Sequence, residues 1–188
     1  MKLKVITSNP GKVEEFRRAF ADFGMEMEHA HIPYDEIQTS ELEEVVRAGM
    51  KELRAQGLRD FIIDDSGMFV DALKGFPGVY SAYVQKTISN PGILTLMEGV
   101  EDRGAVFKCC IGCDIDGETF IVTGECRGTI LEEARGDGGF GYDPIFSPDG
   151  RRSFAEITTE EKNTMSHRGN AFRLLREALI EDGVPDRT

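Results

Sequence analysis

Gly104-Ala105-Val106-Phe107-Lys108-Cys109-Cys110-Ile111-Gly112-Cys113-Asp114-Ile115 and Glu118-Thr119-Phe120-Ile121-Val122-Thr123-Gly124-Glu125-Cys126-Arg127-Gly128-Thr129-Ile130 read as two long strands. Asp116-Gly117 joins them, a pair favoured in the two-residue type I′ hairpin turn because both central positions need positive φ. Upstream of this hairpin, strands and helices alternate. Val5-Ile6 is a short apolar strand, and residues 11–23 form a helix with Val13, Phe16, Phe20 and Phe23 at spacings of three and four. Gly24 is its C-terminal stop. Residues 25–31 read as a weak strand. Ser40 and Glu43 fit a Ser-x-x-Glu capping box opening a second helix, whose inner stripe is Leu42, Val45, Val46, Gly49, Met50 and Leu53. Phe61-Ile62-Ile63 is a short buried strand ending at Asp64-Asp65, and a short helix is predicted around residues 93–97. Downstream come a glycine-dense loop (Gly136, Gly138, Gly139, Gly141), Pro144-Ile145-Phe146 and a turn at Pro148-Asp149-Gly150. Ser166 caps a last helix with Phe172, Leu175, Ala178 and Leu179 inward. Without internal repeats or low-complexity linkers, this predicts one mixed α/β domain over residues 1–188.

Composition narrows the function. The chain has 188 residues, 40% of them hydrophobic, enough for a core without disulfides or a structural metal. No window approaches the roughly 20 apolar residues that span a bilayer. Met1-Lys2-Leu3-Lys4 runs into Val5-Ile6 with no apolar signal segment, so a cytoplasmic, membrane-free protein is expected. The net charge of −12 repels polynucleotide backbones and argues against nucleic-acid partners, while leaving room for a small phosphorylated ligand beside a few cations and a divalent metal. Cys110-x-x-Cys113 is half of a zinc or redox motif with no second ligand pair nearby, so the four cysteines are read as plain buried thiols.

Four clusters carry chemistry-bearing side chains. Thr7-Ser8-Asn9-Pro10-Gly11-Lys12 lies between a strand and a helix, where unpaired N–H groups suit phosphate. Lys12 opposes the helix dipole unless an anion lies beside it. The alternative is a simple strand–helix turn set by Pro10. Asp64-Asp65-Ser66-Gly67 puts two carboxylates at a strand end, aimed in different directions by the period of two. Either can hold Mg²⁺ or take a proton from water, and the alternative is an Asx-type turn. Phe140-Gly141-Tyr142-Asp143-Pro144 offers an aromatic pair for a base, or Phe140 as a core anchor and Tyr142 as a surface ring. Lys162-Asn163 and Ser166-His167-Arg168 place cations at a helix start, for an acceptor-rich ligand or as a solvated pair.

Taken together, these strings and Gly75-Phe76-Pro77-Gly78-Val79-Tyr80-Ser81-Ala82 resemble the inosine/xanthosine triphosphate pyrophosphatases, the Ham1-like family, nearly end to end. The resemblance implies an elongated α/β mixed-sheet domain with two lobes flanking a central nucleotide-binding cleft, usually in a homodimer. It implies hydrolysis of ITP, dITP and XTP to the monophosphate and pyrophosphate. Asp65 would be the general base and, with Glu36, hold Mg²⁺. Thr7, Ser8, Asn9, Pro10, Gly11 and Lys12 would hold phosphates, with Ser66 on the substrate. Phe140, Gly141, Tyr142, Asp143, Lys162, His167 and Arg168 would hold base and sugar-phosphate, and Lys51 resembles a further phosphate-side lysine. Two other readings remain at this point: a Maf-like nucleotide pyrophosphatase of other specificity, which lacks the Ser166-His167-Arg168 string, and a non-catalytic nucleotide sensor, which needs no paired Glu36 and Asp65.

Overall fold

In the computed structural model, which describes residues 1–184, the hairpin lies where the sequence puts it. Strands β5 (Gly104–Ile115) and β6 (Glu118–Ile130) flank Asp116 and Gly117, whose φ angles are 52° and 86°. Before them come β1 (Lys2–Ile6), α1 (Pro10–Ala19), β2 (Glu26–Ala30), α2 (Leu42–Ala55), β3 (Phe61–Val70), β4 (Pro77–Gly78), α3 (Ser81–Thr87) and α4 (Ser89–Leu96). After them come β7 (Phe146–Ser147), a 3₁₀ turn (Phe154–Glu156), α5 (Thr159–Met165) and α6 (His167–Glu181). The strand order is β2-β1-β3-β5-β6-β7, with β4 on β3. β2 and β3 run parallel to β1, as helical crossovers allow, whereas β4 and β7 pair antiparallel with β3 and β6. The sheet is therefore mixed, and the class is α/β.

The chain divides into two compact units. The first comprises residues 1–65, 110–124 and those from 171 onward. Phe16 meets Phe172 edge-on at 4.8 Å, and Phe20 packs on Phe172 at 6.1 Å. Every residue of the predicted α2 stripe is buried. Truncating a fully enclosed ring such as Phe16 costs about 3–5 kcal/mol. The second unit comprises residues 66–109 and 125–170. Its core joins Met68, Val70, Val84, Ile93, Phe107, Phe146 and Phe154.

Several boundaries differ from the sequence reading. Helix α1 stops at Ala19, short of Phe23, because a side chain satisfies its last turn. Arg176 donates to the Ala19 carbonyl at 2.6 Å, grips both Asp22 oxygens at 2.6 and 2.7 Å, and covers the Phe23 ring. The capping box at Ser40 does not form. Glu41 is the N-cap residue of α2, and Thr39 bonds to the Glu41 N–H and the Glu44 carboxylate instead. Strand β3 does not end at Asp64-Asp65 but runs on to Val70, so the acidic pair lies inside the strand. Helices α3 and α5 had no periodic signal, since seven residues make barely two turns. The Ser166 cap is present, its Oγ accepting from the Gly169 N–H at 3.1 Å.

Candidate active site

In the first unit, the turn after β1 is built by its own side chains. Asn9 caps α1 by accepting the Gly11 N–H at 2.9 Å, Thr7 Oγ1 accepts from the Asn9 N–H at 3.1 Å, and Pro10 opens the helix. The Thr7 N–H reaches the Ala30 carbonyl on β2, and the His29 ring nitrogen lies 2.9 Å from the Thr7 carbonyl. Ser8, Asn9, Pro10 and Gly11 are exposed, as a loop that receives an anion must be. Lys12 points the other way. Its ammonium lies 2.9 Å from Asp64 Oδ2 and 3.4 Å from the Asp64 carbonyl, with side-chain exposures of 18% and 1%. The anion that Lys12 needs at a helix start is thus supplied in part by the protein.

Successive residues of a strand face opposite sides, and this separates the two aspartates. Asp64 is buried with Lys12, while Asp65 is half-buried. Glu36 is exposed on the irregular stretch between β2 and α2, and Lys51 is exposed on α2. Tyr34 links the acidic groups. Burial chiefly, then the charges of Glu36, Asp64 and Asp65, hold its phenol far above the usual range, so all three carboxylates act on one hydroxyl. Among the described residues, no three His, Cys, Asp or Glu side chains come close enough to hold a metal by themselves. An oxygen-only donor set of one or two carboxylates still fits Mg²⁺, which keeps waters and takes substrate phosphate oxygens.

In the second unit, Asp143 organises the glycine-dense loop. Its buried carboxylate accepts from Lys162 at 2.6 Å and from the Phe140 N–H at 2.8 Å. Gly139, at φ 67°, lies so close that any Cβ would collide with Asp143 Oδ2. Phe140 is thereby turned outward, 51% exposed, with the Lys162 ammonium 4.8 Å and the Arg168 guanidinium 5.8 Å from its ring centre. Arg168 also donates to Ser66 Oγ at 3.3 Å, and the His167 ring stacks on Phe107 at 4.7 Å and 12°. Both are buried at the first turn of α6.

The sequence expectation of an aromatic pair needs correcting, and so does its alternative of Phe140 as core anchor and Tyr142 as surface ring, which the structure reverses. Tyr142 is buried in the core, its hydroxyl donating to the Ser81 carbonyl at 2.8 Å, so Phe140 alone offers a free ring face. Sequence reading also missed Gln85 and Asn90. Their side-chain amides donate to the Gly141 carbonyl at 3.3 and 3.0 Å and brace the loop from α3 and α4. Polar residues on short helices carry no signal of such a task. The four cysteines are buried thiols. Burial pushes the Cys110 and Cys126 thiols up to about 11, and Cys113 higher still, so these three are not nucleophiles at neutral pH.

Residues 3–178 match the Ham1 family. The dITP/XTP pyrophosphatase of Thermococcus kodakarensis is 55% identical, the alignment covering 97% of this chain and 99% of that protein. That of Pyrococcus horikoshii is 51% identical over 95% and 97%. Among solved structures, the Staphylococcus aureus Ham1 protein superposes with a TM-score of 0.84 at 30% identity, covering 97% of this chain and 100% of that one. A Coxiella burnetii HAM1 protein gives 0.83 at 29%, over 96% and 99%. By sequence over nearly its whole length and by fold, the chain belongs to the Ham1 family.

Proposed function

We propose that the chain hydrolyses non-canonical purine nucleoside triphosphates, dITP, ITP and XTP, to the monophosphate and pyrophosphate, and so clears them from the nucleotide pool. The observation that carries the base preference is the outward Phe140 ring flanked by Lys162 and Arg168. The reaction itself is supported by the relatives named dITP/XTP pyrophosphatases at 55% and 51% identity.

In the second unit the purine stacks on Phe140, and His167 and Arg168 donate to its 6-oxo group. Adenine presents a 6-amino donor there, and two donors facing one another leave buried groups unmatched. Guanine shares the 6-oxo group and meets the same donors. Asp143 and Lys162 hold the loop, and Ser66 and the Gly141 backbone complete the sugar side.

In the first unit the loop from Thr7 to Gly11 takes phosphate oxygens with backbone N–H groups and hydroxyls. Lys12, oriented by Asp64, faces charge that builds on the phosphates. Glu36 and Asp65 are the residues that would hold Mg²⁺. When bound, the ion would supply neutralisation of charge on the leaving oxygens and acidification of water. Asp65 accepts the proton of the water that attacks the α-phosphorus, the α–β bridging oxygen leaves with pyrophosphate, and the monophosphate remains.

The setting is part of the same proposal: one functional domain in a cytoplasmic homodimer. The family match over residues 3–178 supports the single domain, and the dimer rests on the family resemblance. No helix among the described residues is long and apolar enough to cross a membrane.

The test incubates the protein with ITP, dITP, XTP, GTP and ATP, with and without Mg²⁺, and measures pyrophosphate and orthophosphate separately. Metal-dependent pyrophosphate from the first three, with little from ATP, is expected. Orthophosphate as the product overturns the mechanism, and equal turnover of ATP overturns the base seat.

A further inference from the structure

Glu36 is the weakest-anchored member of the acidic group by its own contacts, being exposed on residues 31–40, which have no regular secondary structure. A carboxylate on an irregular segment places a metal only if something fixes its backbone. Three consecutive residues just before Glu36 are each held by α2 or by its C-cap residue, Gln56. The Pro33 carbonyl accepts from Gln56 Nε2 at 3.3 Å. The Tyr34 ring lies on Gly49, where an added Cβ would fall 2.7 and 2.9 Å from its carbons. The Asp35 N–H donates to Glu52 Oε2 at 2.9 Å. Beyond Glu36, Thr39 ties the segment to Glu44 at the start of the helix.

Gly49 and Glu52 on α2 and Gln56 at its C-cap stand at i, i+3 and i+7, the spacing of one helical stripe. Glu52 uses both oxygens, taking the Asp35 N–H on one and Gln56 Nε2 on the other at 3.2 Å, so the two anchors orient one another. This stripe differs in chemistry from the apolar stripe that packs α2 into the core. Gly49 belongs to both, and its missing side chain makes room for Tyr34 and for Ile63 on β3.

We infer that Gly49, Glu52 and Gln56 are positioning residues, a rail along α2 and its C-cap that fixes the backbone of residues 33–35 and thereby sets the Glu36 carboxylate for the divalent cation. The inference rests on the reading of Glu36 and Asp65 as the metal-holding pair. Groups that orient a metal ligand without touching the metal commonly change affinity about 10- to 100-fold when removed.

The test uses Mn²⁺ as the probe, its binding read by electron paramagnetic resonance in the presence of an α,β-methylene analogue of ITP. The double variant Glu52→Ala, Gln56→Ala removes two anchors from the surface without opening the core. It is expected to weaken Mn²⁺ about 10-fold or more. Amide hydrogen exchange at Asp35 should accelerate in the same protein, while β3 stays protected. Glu52→Gln keeps an acceptor for the Asp35 N–H and should restore most of the affinity. Gly49→Ala, which displaces Tyr34, should weaken Mn²⁺ as well.

Two negative outcomes are distinct. If Glu36→Gln weakens Mn²⁺ but the double variant binds it as the wild type does, the rail has no positioning role and the inference falls alone. If Glu36→Gln itself leaves Mn²⁺ binding unchanged, the metal assignment falls and takes the inference with it.

Discussion

Lys12 and Asp64 form an ion pair at 2.9 Å in which the carboxylate is buried and the ammonium is nearly so. The pair joins the first turn of α1 to the middle of β3, 52 residues apart in sequence. Asp64→Asn leaves a buried cation short of its partner and should cost about 3 kcal/mol in urea unfolding. Lys12→Met together with Asp64→Asn should cost clearly less than the sum of the single changes. Additive costs would show that the two side chains act separately.

Asp65→Asn should lower kcat for ITP by about 10²- to 10⁴-fold, the range a positioned general base contributes. Its unfolding midpoint should stay near wild type, because the change keeps size and shape at a half-buried position. Full turnover would remove Asp65 as the proton acceptor.

Arg168→Ala and Phe140→Leu should separate hydrogen bonding from stacking. The arginine change should narrow the preference for ITP over ATP. The phenylalanine change should raise KM for both, by about 5- to 100-fold, as the loss of one base–aromatic stack predicts. Steady-state kinetics on the two nucleotides distinguishes them.

Gly139→Ala forces a Cβ onto Asp143 Oδ2 at a position with φ 67°. The loop then loses either its backbone conformation or the Asp143 contacts with Lys162 and Phe140. A stability loss of about 1–3 kcal/mol is expected, with a larger rise in KM than fall in kcat. Gly141→Ala, which meets no neighbour but has φ 61°, controls for backbone strain alone.

The Asp22 carboxyl should titrate at about 2, held down chiefly by the Arg176 hydrogen bonds. Its folded value is depressed, so the stabilisation is present above the ordinary value of 3.8 and is lost as pH falls toward about 2. Carboxyl-carbon NMR should show this midpoint, and Arg176→Ala should return it toward 3.8.

The strong periodic signals read through to the structure. The hairpin, the α2 stripe and the Ser166 cap all follow from local rules that tertiary contacts did not override. Where the reading missed, the cause lies far away in the chain. Arg176 ends α1 from a helix more than 150 residues later, and no pattern around Phe20 contains that information. The acidic pair looked like a strand end because Ser66-Gly67 interrupts the apolar run, yet the β3 ladder continues through it. At the candidate site the residue types were legible while their burdens were not. Tyr142 and Phe140 look alike in sequence, and the Ser81 carbonyl decides which ring turns inward. Gln85 and Asn90 were silent because an amide that braces a carbonyl resembles any surface amide.

The buried thiols have a practical use. Cys110 and Cys113 belong to the first compact unit, and Cys109 and Cys126 to the second. Because all four are shielded, and burial holds the Cys110, Cys113 and Cys126 thiols in their protonated form at neutral pH, a thiol reagent can label them only when the surrounding structure opens. The chain thus carries two native stopwatches, and timed alkylation followed by peptide mapping would report, without any engineered probe, whether the halves of this protein come apart together or in turn.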